Sequence, residues 1–156
     1  MSSHNNSLLI YFITTTSFKH RMIFESTPHK LILTSSLDWL RRIKPIKLYN
    51  FVIMPDHIHL IVKFHPDYAI GDFMRDYKSI TTDRIKRFQM QYPSSRTNIN
   101  NKTFRMSVRK YSIWESGYHS KDIFSKKFLT QKIDYIHQNP CRTPYSLCKF
   151  PAHYPW

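Results

Sequence analysis

Two apolar runs separated by a very short turn strongly restrict how this chain can fold. Residues 47–54 and 57–64 are rich in the β-branched and aromatic side chains that favour strands. The Met54-Pro55-Asp56 sequence favours a turn, because Pro55 cannot donate a hydrogen bond to a continuing strand. A connection this short joins antiparallel neighbours. The sequence therefore predicts an antiparallel hairpin near the middle of the chain.

Helices and further strands surround this hairpin. Thr27 is predicted as the N-cap of the first helix, with Pro28 at its first helical position. In chain order we predict a strand over 8–18, a helix to about 43, the hairpin, a long helix over 67–90, a strand within 105–124 and a helix over 125–138. This order predicts an α+β fold, an antiparallel sheet backed by helices and close to the ferredoxin-like arrangement.

The length of 156 residues suits one compact domain. We predict a single domain over 1–156, with a flexible stretch at 1–7, a mobile polar loop at 93–103 and an irregular tail at 144–156. No segment reaches the roughly 18 apolar residues that span a bilayer, and no secretory signal is recognisable. Cys141 and Cys148 form no disulfide framework, so we expect reduced thiols in a cytoplasm.

The charge of the chain is strongly positive. There are 24 Lys and Arg but 10 Asp and Glu, which gives a net charge of +14, and most of the excess lies in residues 61–156. Such an excess points to an acidic partner, and without a membrane span we predict nucleic acid. Only 2 glycines are present, which excludes Gly-rich phosphate loops, so we predict no nucleotide cofactor.

His57 and His59 are the first candidates for chemistry. Residues two apart in a strand face the same side, so both imidazoles project together while Ile58 and Leu60 project toward the helices. Two such imidazoles suit a shared divalent metal ion. The alternative is an ordinary half-polar strand that carries two histidines by chance. A histidine-triad hydrolase is excluded, because Ile61 occupies the position of its third histidine.

Tyr135 and Asn139 are the second candidates. Residues four apart share a helix face, so the phenol and the amide point the same way. They could serve as a nucleophile beside a metal ligand. The alternative is a packed aromatic residue near an ordinary helix end at Asn139-Pro140, and spacing alone favours that alternative.

Five motifs are informative when taken together: MPDHIHLIV at 54–62, FMRDYKSITTDRI at 73–85, WESGYH at 114–119, YIHQNP at 135–140 and YPW at 154–156. They resemble the single-tyrosine HUH transposases, in particular the REP-associated tyrosine transposases and their insertion-sequence relatives. The resemblance runs from about Tyr11 to Trp156. The histidine pair alone is unspecific, but its combination with a Tyr-Ile-x-x-Asn-Pro motif at this distance is specific.

The resemblance implies a fold and a reaction. Such proteins have a ferredoxin-like palm and use Mg²⁺ or Mn²⁺ to cut and rejoin single-stranded DNA, often beside a hairpin. By position, His57 and His59 would bind the metal and Tyr135 would form a 5′-phosphotyrosine. Asn139 would be the third ligand, where many relatives have Gln. Relatives act in bacterial cells as homodimers or as monomers, and both states remain open for this chain.

Basic side chains are predicted to contact DNA phosphates, and exposed Tyr or Phe to stack on unpaired bases. The predicted contacts are Arg75, Lys78, Arg84, Lys86 and Arg87 on the long helix, Lys102, Arg105, Arg109 and Lys110 after the loop, and Lys121, Lys126, Lys127 and Lys132 around the nucleophile helix. His119 is a further candidate for contact with DNA or metal, although packing or solvent exposure is the alternative.

Two other functions fit the same sequence. A catalytically inactive or domesticated relative would bind structured single-stranded nucleic acid without cleaving it. A basic RNA-binding module on this fold would carry the two histidines incidentally, but it leaves their combination with the tyrosine motif unexplained. Metal-dependent strand cleavage separates a transposase from both.

Overall fold

A four-stranded antiparallel sheet forms the centre of the computed structural model, which describes residues 9–92 and 111–156. The strands are β1 (Ile10–Thr16), β2 (Ile46–Ile53), β3 (His57–Phe64) and β4 (His119–Asp122). They lie in the order β2-β3-β1-β4, and every neighbouring pair is antiparallel. Two strand–helix–strand units interleave to give this order, so the predicted ferredoxin-like α+β fold is confirmed.

The predicted hairpin is also confirmed, since β2 and β3 pair directly. The Met54 N–H donates to the His57 carbonyl at 2.8 Å and closes the turn. The strand predicted within 105–124 is β4, and the first strand is shorter than the predicted 8–18. The predictions for 1–7 and 93–103 lie outside the described residues.

Three α-helices flank the sheet: α1 (Thr27–Ile43), α2 (Ile70–Gln91) and α3 (Lys126–Gln138). The N-cap of α1 was predicted one residue too late. The Ser26 hydroxyl, rather than that of Thr27, accepts the His29 N–H, so Pro28 is the second helical residue. None of the helices in the described part of the chain is long and apolar enough to cross a bilayer.

The other two helices begin differently from each other. The start of α2 was predicted at residue 67, but the Tyr68 N–H donates to the His65 carbonyl in a turn, and the helix begins only at Ile70. The Ser125 hydroxyl accepts the Phe128 N–H at 3.1 Å and caps α3, as the predicted boundary at 125 requires.

The two faces of the sheet differ in what covers them. One face, here called the core face, carries Ile58, Leu60 and Val62 of β3, all fully buried against α1 and α2. The opposite face, here called the site face, carries His57 and His59 and is covered by α3. The predicted direction of the two sets of side chains is therefore confirmed.

The chain beyond α3 contains only two short 3₁₀ turns, Asn139–Cys141 and Pro151–His153. The Tyr154 hydroxyl donates to the Ile53 carbonyl at 2.6 Å, and the Ile53 N–H donates to the Trp156 carbonyl at 2.8 Å. These contacts hold the end of the chain beside the hairpin turn, next to the site face.

Candidate active site

The two histidines lie side by side on the site face, as their spacing predicts. Their ring centroids are 4.8 Å apart and the rings are nearly perpendicular. In the register of the sheet His59 is opposite Thr14 of β1, and His57 is opposite Thr16. This position at the centre of the sheet fixes the backbone of both histidines, because β3 is paired on both sides.

His59 is buried, with only 5% of its surface exposed. Its Nδ1 is 2.8 Å from the Thr14 hydroxyl, while its buried Nε2 has no hydrogen-bond partner in the described residues. Burial, the nearby His57 and the Lys132 ammonium lower the pKa of His59 to about 3. The ring is therefore neutral at pH 7, and Nδ1–H donation to Thr14 leaves a lone pair on Nε2 that can bind a metal ion.

His57 is oriented by a carboxylate. Its Nδ1–H donates to Asp56 Oδ1 at 2.7 Å, and no hydrogen bond to its Nε2 is found in the described residues. The Tyr145 hydroxyl donates to the same carboxylate oxygen at 2.6 Å, and His20 lies 3.3 Å from the other oxygen. A carboxylate behind an imidazole fixes the orientation and tautomer of the ring, as it does for metal ligands in general.

Asp56 is buried and negatively charged at neutral pH. Burial alone would raise its pKa, but the hydrogen bonds from Tyr145 and His57 outweigh burial and hold the pKa below the usual range. Burial and the bond to Asp56 raise the pKa of Tyr145 to about 12, so its hydroxyl remains a donor. Asp56 thus keeps Nε2 of His57 available on the site face.

Helix α3 brings Tyr135 against this pair. Its ring centroid is 5.3 Å from that of His59 and 5.7 Å from that of Phe12. Ile136 is buried under the helix, and the next residue, His137, lies within hydrogen-bond distance of Asn50 on β2 at 3.0 Å. These contacts dock α3 with the tyrosine facing the histidines.

Two cations lie at the face of the Tyr135 ring. The Lys132 ammonium is 5.4 Å from the ring centroid and 4.7 Å from that of Phe12, and the Arg142 guanidinium is 5.9 Å from the Tyr135 ring. Burial and the neighbouring Lys121 lower the pKa of Lys132. Two cations at this position favour the binding of an anion beside the Tyr135 ring.

Asn139 begins the 3₁₀ turn directly after α3, one helical turn beyond Tyr135. Its backbone N–H bonds to the carbonyls of Tyr135 and Ile136, and the residue is half-buried. Within the described ranges no group of three His, Cys, Asp or Glu side chains could hold a metal ion. A metal held by the two histidines would therefore take its remaining ligands from an amide, water or substrate, and the orphaned Nε2 of His59 fits such an ion.

The predicted DNA-binding residues fall into three groups: those on β4 and α3, those on α2, and those within residues 102–110. In the first group, Lys121, Lys126 and Lys127 are exposed on β4 and at the start of α3. His119 is exposed on β4 and opposite Thr14, in the same cross-strand row as His59. A third group, Lys102, Arg105, Arg109 and Lys110, lies outside the described residues.

The basic residues of α2 belong to the layer on the core face. Arg75 pairs with Asp72 and Asp76, and Arg87 pairs with Asp83. Other members make different contacts: Arg84 with Ser36 of α1, Lys86 with the Tyr111 ring, and Lys78 with the carbonyls of Glu115 and Gly117. If these residues of α2 bind DNA, they do so on the opposite side of the sheet from Tyr135.

Sequence reasoning missed four residues that complete the site. Asp56 directly precedes the first histidine, so its proximity could have been noticed. Thr14 belongs to a strand whose alternation places it on the site face, and only the pairing register identifies it as the partner of His59. Arg142 and Tyr145 follow α3 in an irregular segment, and no pattern in the sequence indicates their contacts.

Comparison with known proteins agrees with this geometry. Residues 5–139 match the sequence profile of the IS200-like transposases. The chain belongs to this family. As an IS200-like transposase it is an enzyme that cleaves and transfers DNA.

Two solved structures show the same fold. A REP-associated tyrosine transposase bound to a REP hairpin is similar over 100% of this chain and 81% of its own, with a TM-score of 0.68 and 17% identity. A candidate transposase from Deinococcus radiodurans R1 is similar over 88% of this chain and 97% of its own, with a TM-score of 0.52 and 17% identity. No curated protein matches the sequence.

Proposed function

We propose that this transposase cleaves and rejoins single-stranded DNA beside hairpins, with Tyr135 as the nucleophile and Mg²⁺ or Mn²⁺ as the cofactor. The contact between the Tyr135 ring and His59, whose buried Nε2 has no hydrogen-bond partner among the described residues, is the observation that carries the proposal. A metal-binding imidazole and a nucleophilic phenol must both reach one phosphate, and this contact brings the two rings together in a single chain. It supports a site that is complete in cis.

His57, His59 and Asn139 would hold the metal ion. When bound, such an ion polarises a phosphate oxygen and offsets the charge that develops in the transition state. Asp56 contacts Nδ1 of His57, and Thr14 contacts Nδ1 of His59, so Nε2 of each ring would be the atom that binds the ion. Two imidazoles and one amide leave positions open for the scissile phosphate, as a catalytic site requires.

Tyr135 would attack the phosphorus atom with its phenolic oxygen. The new bond joins that oxygen to phosphorus, and the bond from phosphorus to the 3′ oxygen breaks, which leaves a 3′-hydroxyl and a 5′-phosphotyrosine. The energy of the phosphodiester is retained in this linkage, so attack by a 3′-hydroxyl can rejoin the strand without ATP. Over the whole step the phenolic proton passes to the 3′ oxygen, and the Lys132 ammonium, 5.4 Å from the centroid of the Tyr135 ring, would attract the scissile phosphate.

The DNA strand would run along the rim formed by Lys121, Lys126 and Lys127. These exposed side chains lie on β4 and at the start of α3 without acidic partners in the described residues, so they are available for phosphates. Exposed Phe124, which stacks on Phe128 at the start of α3, offers a surface for an unpaired base. The hairpin-bound structure with the same fold supports a hairpin as the neighbouring substrate element.

A covalent adduct tests the proposal. The probe is a 3′-labelled oligonucleotide pool with one hairpin and a randomised single-stranded flank, incubated with Mn²⁺ and run on a denaturing gel. The label should migrate with the protein, because the 5′-phosphate of the 3′ fragment stays on Tyr135. Tyr135→Phe should abolish the adduct, while Tyr92→Phe, at an exposed position on the other layer, should not. Binding without an adduct in any metal would instead identify a non-cleaving relative.

A further inference from the structure

Two thiols lie in contact just beyond the nucleophile helix. The sulfur atoms of Cys141 and Cys148 are 2.9 Å apart, and both cysteines are free and half-buried. They are the only cysteines of the chain. The site described above uses neither of them, so their contact calls for a separate explanation.

Backbone hydrogen bonds hold the two thiols together independently of the sulfur contact. The Leu147 N–H donates to the Pro140 carbonyl at 2.7 Å, and the Ser146 N–H donates to the Arg142 carbonyl at 2.8 Å. Leu147 and Pro140 each directly precede one of the cysteines. The folded backbone therefore closes the loop between the cysteines and presents their side chains to each other.

The loop between the cysteines touches the active site at two points. Arg142 lies over the Tyr135 ring, and the Tyr145 hydroxyl donates to Asp56, which orients His57. A disulfide between the two cysteines would restrict the motion of this loop and would therefore also hold Arg142 and Tyr145 in their contacts with the site. The oxidation state of the two thiols would thus control how freely the loop moves beside the active site.

We propose that Cys141 and Cys148 are a redox modification site that reacts with small-molecule disulfides to form a reversible intramolecular disulfide. The product would staple residues 141–148 in the conformation that holds Arg142 and Tyr145 against the site. Reversible disulfides in reducing compartments are commonly of this redox-sensing kind.

The reaction with glutathione disulfide balances as a two-step exchange. The exchange begins when one of the two thiols, for example that of Cys141, loses its proton to solvent and attacks a glutathione sulfur. Its thiolate forms a mixed disulfide and releases one glutathione thiolate. Cys148 then loses its proton, attacks the Cys141 sulfur and releases the second glutathione. The protein loses two hydrogens and two electrons, and one glutathione disulfide becomes two glutathiones.

Thiol counting on the folded full-length protein tests the proposal. The probe is glutathione disulfide, followed by labelling with a maleimide and intact mass spectrometry. Reduced protein should take up two labels and oxidised protein none, and dithiothreitol should restore both. Trypsin cuts after Arg142 and Lys149, so oxidation should join peptides 133–142 and 143–149 in unreduced digests. This readout needs no DNA and no metal, so it stands or fails independently of the proposed reaction.

Single variants provide the controls. Cys148→Ser and Cys141→Ser should each accumulate a mixed disulfide with glutathione on the remaining cysteine, because the resolving thiol is absent. Two thiols that stay fully labelled after glutathione disulfide treatment would overturn the proposal. A bridge between two chains, or a stable mixed disulfide in the unmodified protein, would overturn it as well.

Discussion

The two faces of one sheet in this protein have different chemistry. The core face buries aliphatic side chains of β3 under two helices, and α2 alone contributes five buried residues. The site face also has an apolar cluster, which includes Phe12, Val52 and Ile61, but it carries two imidazoles and a threonine as well. The helix that covers it, α3, has a single fully buried residue, Ile136. Because buried apolar area is the main source of stability, the core face should hold the fold and the site face should be free for chemistry.

The single buried residue of α3 has a consequence for motion. A helix that buries little apolar surface opens at a lower free energy than one that buries much. Tyr135 therefore lies on the element that is least strongly attached among the three helices. This arrangement would suit the proposed role of Tyr135 as a nucleophile that carries a DNA end after cleavage, while the histidines lie on β3, which is paired on both sides.

Adjacent residues on β3 provide the strongest test of this comparison. His59→Ala should reduce adduct formation by roughly 10²–10³-fold, the size seen when a group that stabilises transition-state charge is removed. Leu60→Ala, one residue further on the opposite face, should lower the free energy of unfolding by about 2–5 kcal/mol because it leaves a cavity in the core. Adduct yields and urea unfolding of both variants measure the two effects.

The two variants should affect different properties of the protein, adduct formation in His59→Ala and stability in Leu60→Ala. Folded Leu60→Ala protein should retain most of the adduct yield, and His59→Ala should lose less stability than Leu60→Ala. If His59→Ala unfolds the protein as severely as Leu60→Ala, the site face contributes to the core and the division between the faces is wrong.

Asp56→Asn should weaken Mn²⁺ binding by about 10–100-fold, the usual cost of removing the partner of a ligating histidine. Asparagine keeps the volume but provides one acceptor oxygen and no charge for the donors from His57 and Tyr145. Calorimetric titration of Mn²⁺ without DNA measures the effect. Asp83→Asn, at an exposed residue on α2, is the control and should bind Mn²⁺ like the unmodified protein. Equal affinities for all three would show that Asp56 does not orient a ligand.

The charges of the two layers should differ in their effect on DNA binding. The double variant Lys126→Gln and Lys127→Gln should reduce the slope of log K against log salt for a single-stranded oligonucleotide by about 1.4, since each phosphate contact contributes roughly 0.7. Arg75→Gln with Arg87→Gln removes charges that are already paired with aspartates, so the slope should change less. Equal changes in slope for the two double variants would indicate that DNA contacts both the α3 side and the α2 side of the sheet.

The smallest expected effect concerns His29, a half-buried histidine on the core side. Its Nδ1 is 2.6 Å from the Ile23 carbonyl, its Nε2 has no hydrogen-bond partner in the described residues, and burial lowers its pKa below 6.5. As the pH falls below 6.5, the unfolded chain binds a proton that the folded chain excludes, so stability decreases. His29→Gln should therefore lose less stability than the unmodified protein between pH 7 and 5, measured by urea unfolding.

A matched control makes this pH test specific. His153→Gln, which also removes one histidine but at an exposed position, is the variant with which His29→Gln is compared. An unchanged pH dependence in His29→Gln would mean that this ring titrates alike in the folded and unfolded chains.

The fold was largely accessible from the sequence because its signals are local. The turn at Pro55 and the alternation of β3 predict the hairpin and the face that each side chain takes. The start of α1 was missed by one residue, since Ser26 and Thr27 are chemically similar and only the backbone hydrogen bonds distinguish them. The start of α2 was predicted three residues too early. Predictions of this kind depend on neighbours along the chain, which the sequence displays.

The site was accessible only in part, because its contacts join distant segments. The spacing of His57 and His59 predicts a shared face, and the helical spacing at Tyr135 predicts its direction, but neither places the two together. That Thr14 and Tyr145 orient the histidines depends on strand register and on an irregular segment, which no periodic pattern describes. The roles of these residues in catalysis remain predictions until they are measured.

Anomalous diffraction from a crystal soaked in Mn²⁺ tests the central claim most directly. The account predicts one manganese peak within bonding distance of Nε2 of both His57 and His59, with Asn139 and the Tyr135 hydroxyl of the same chain facing it. A peak bound elsewhere, or a bound ion that Tyr135 of no chain can approach, would contradict the convergence of these side chains on one metal ion.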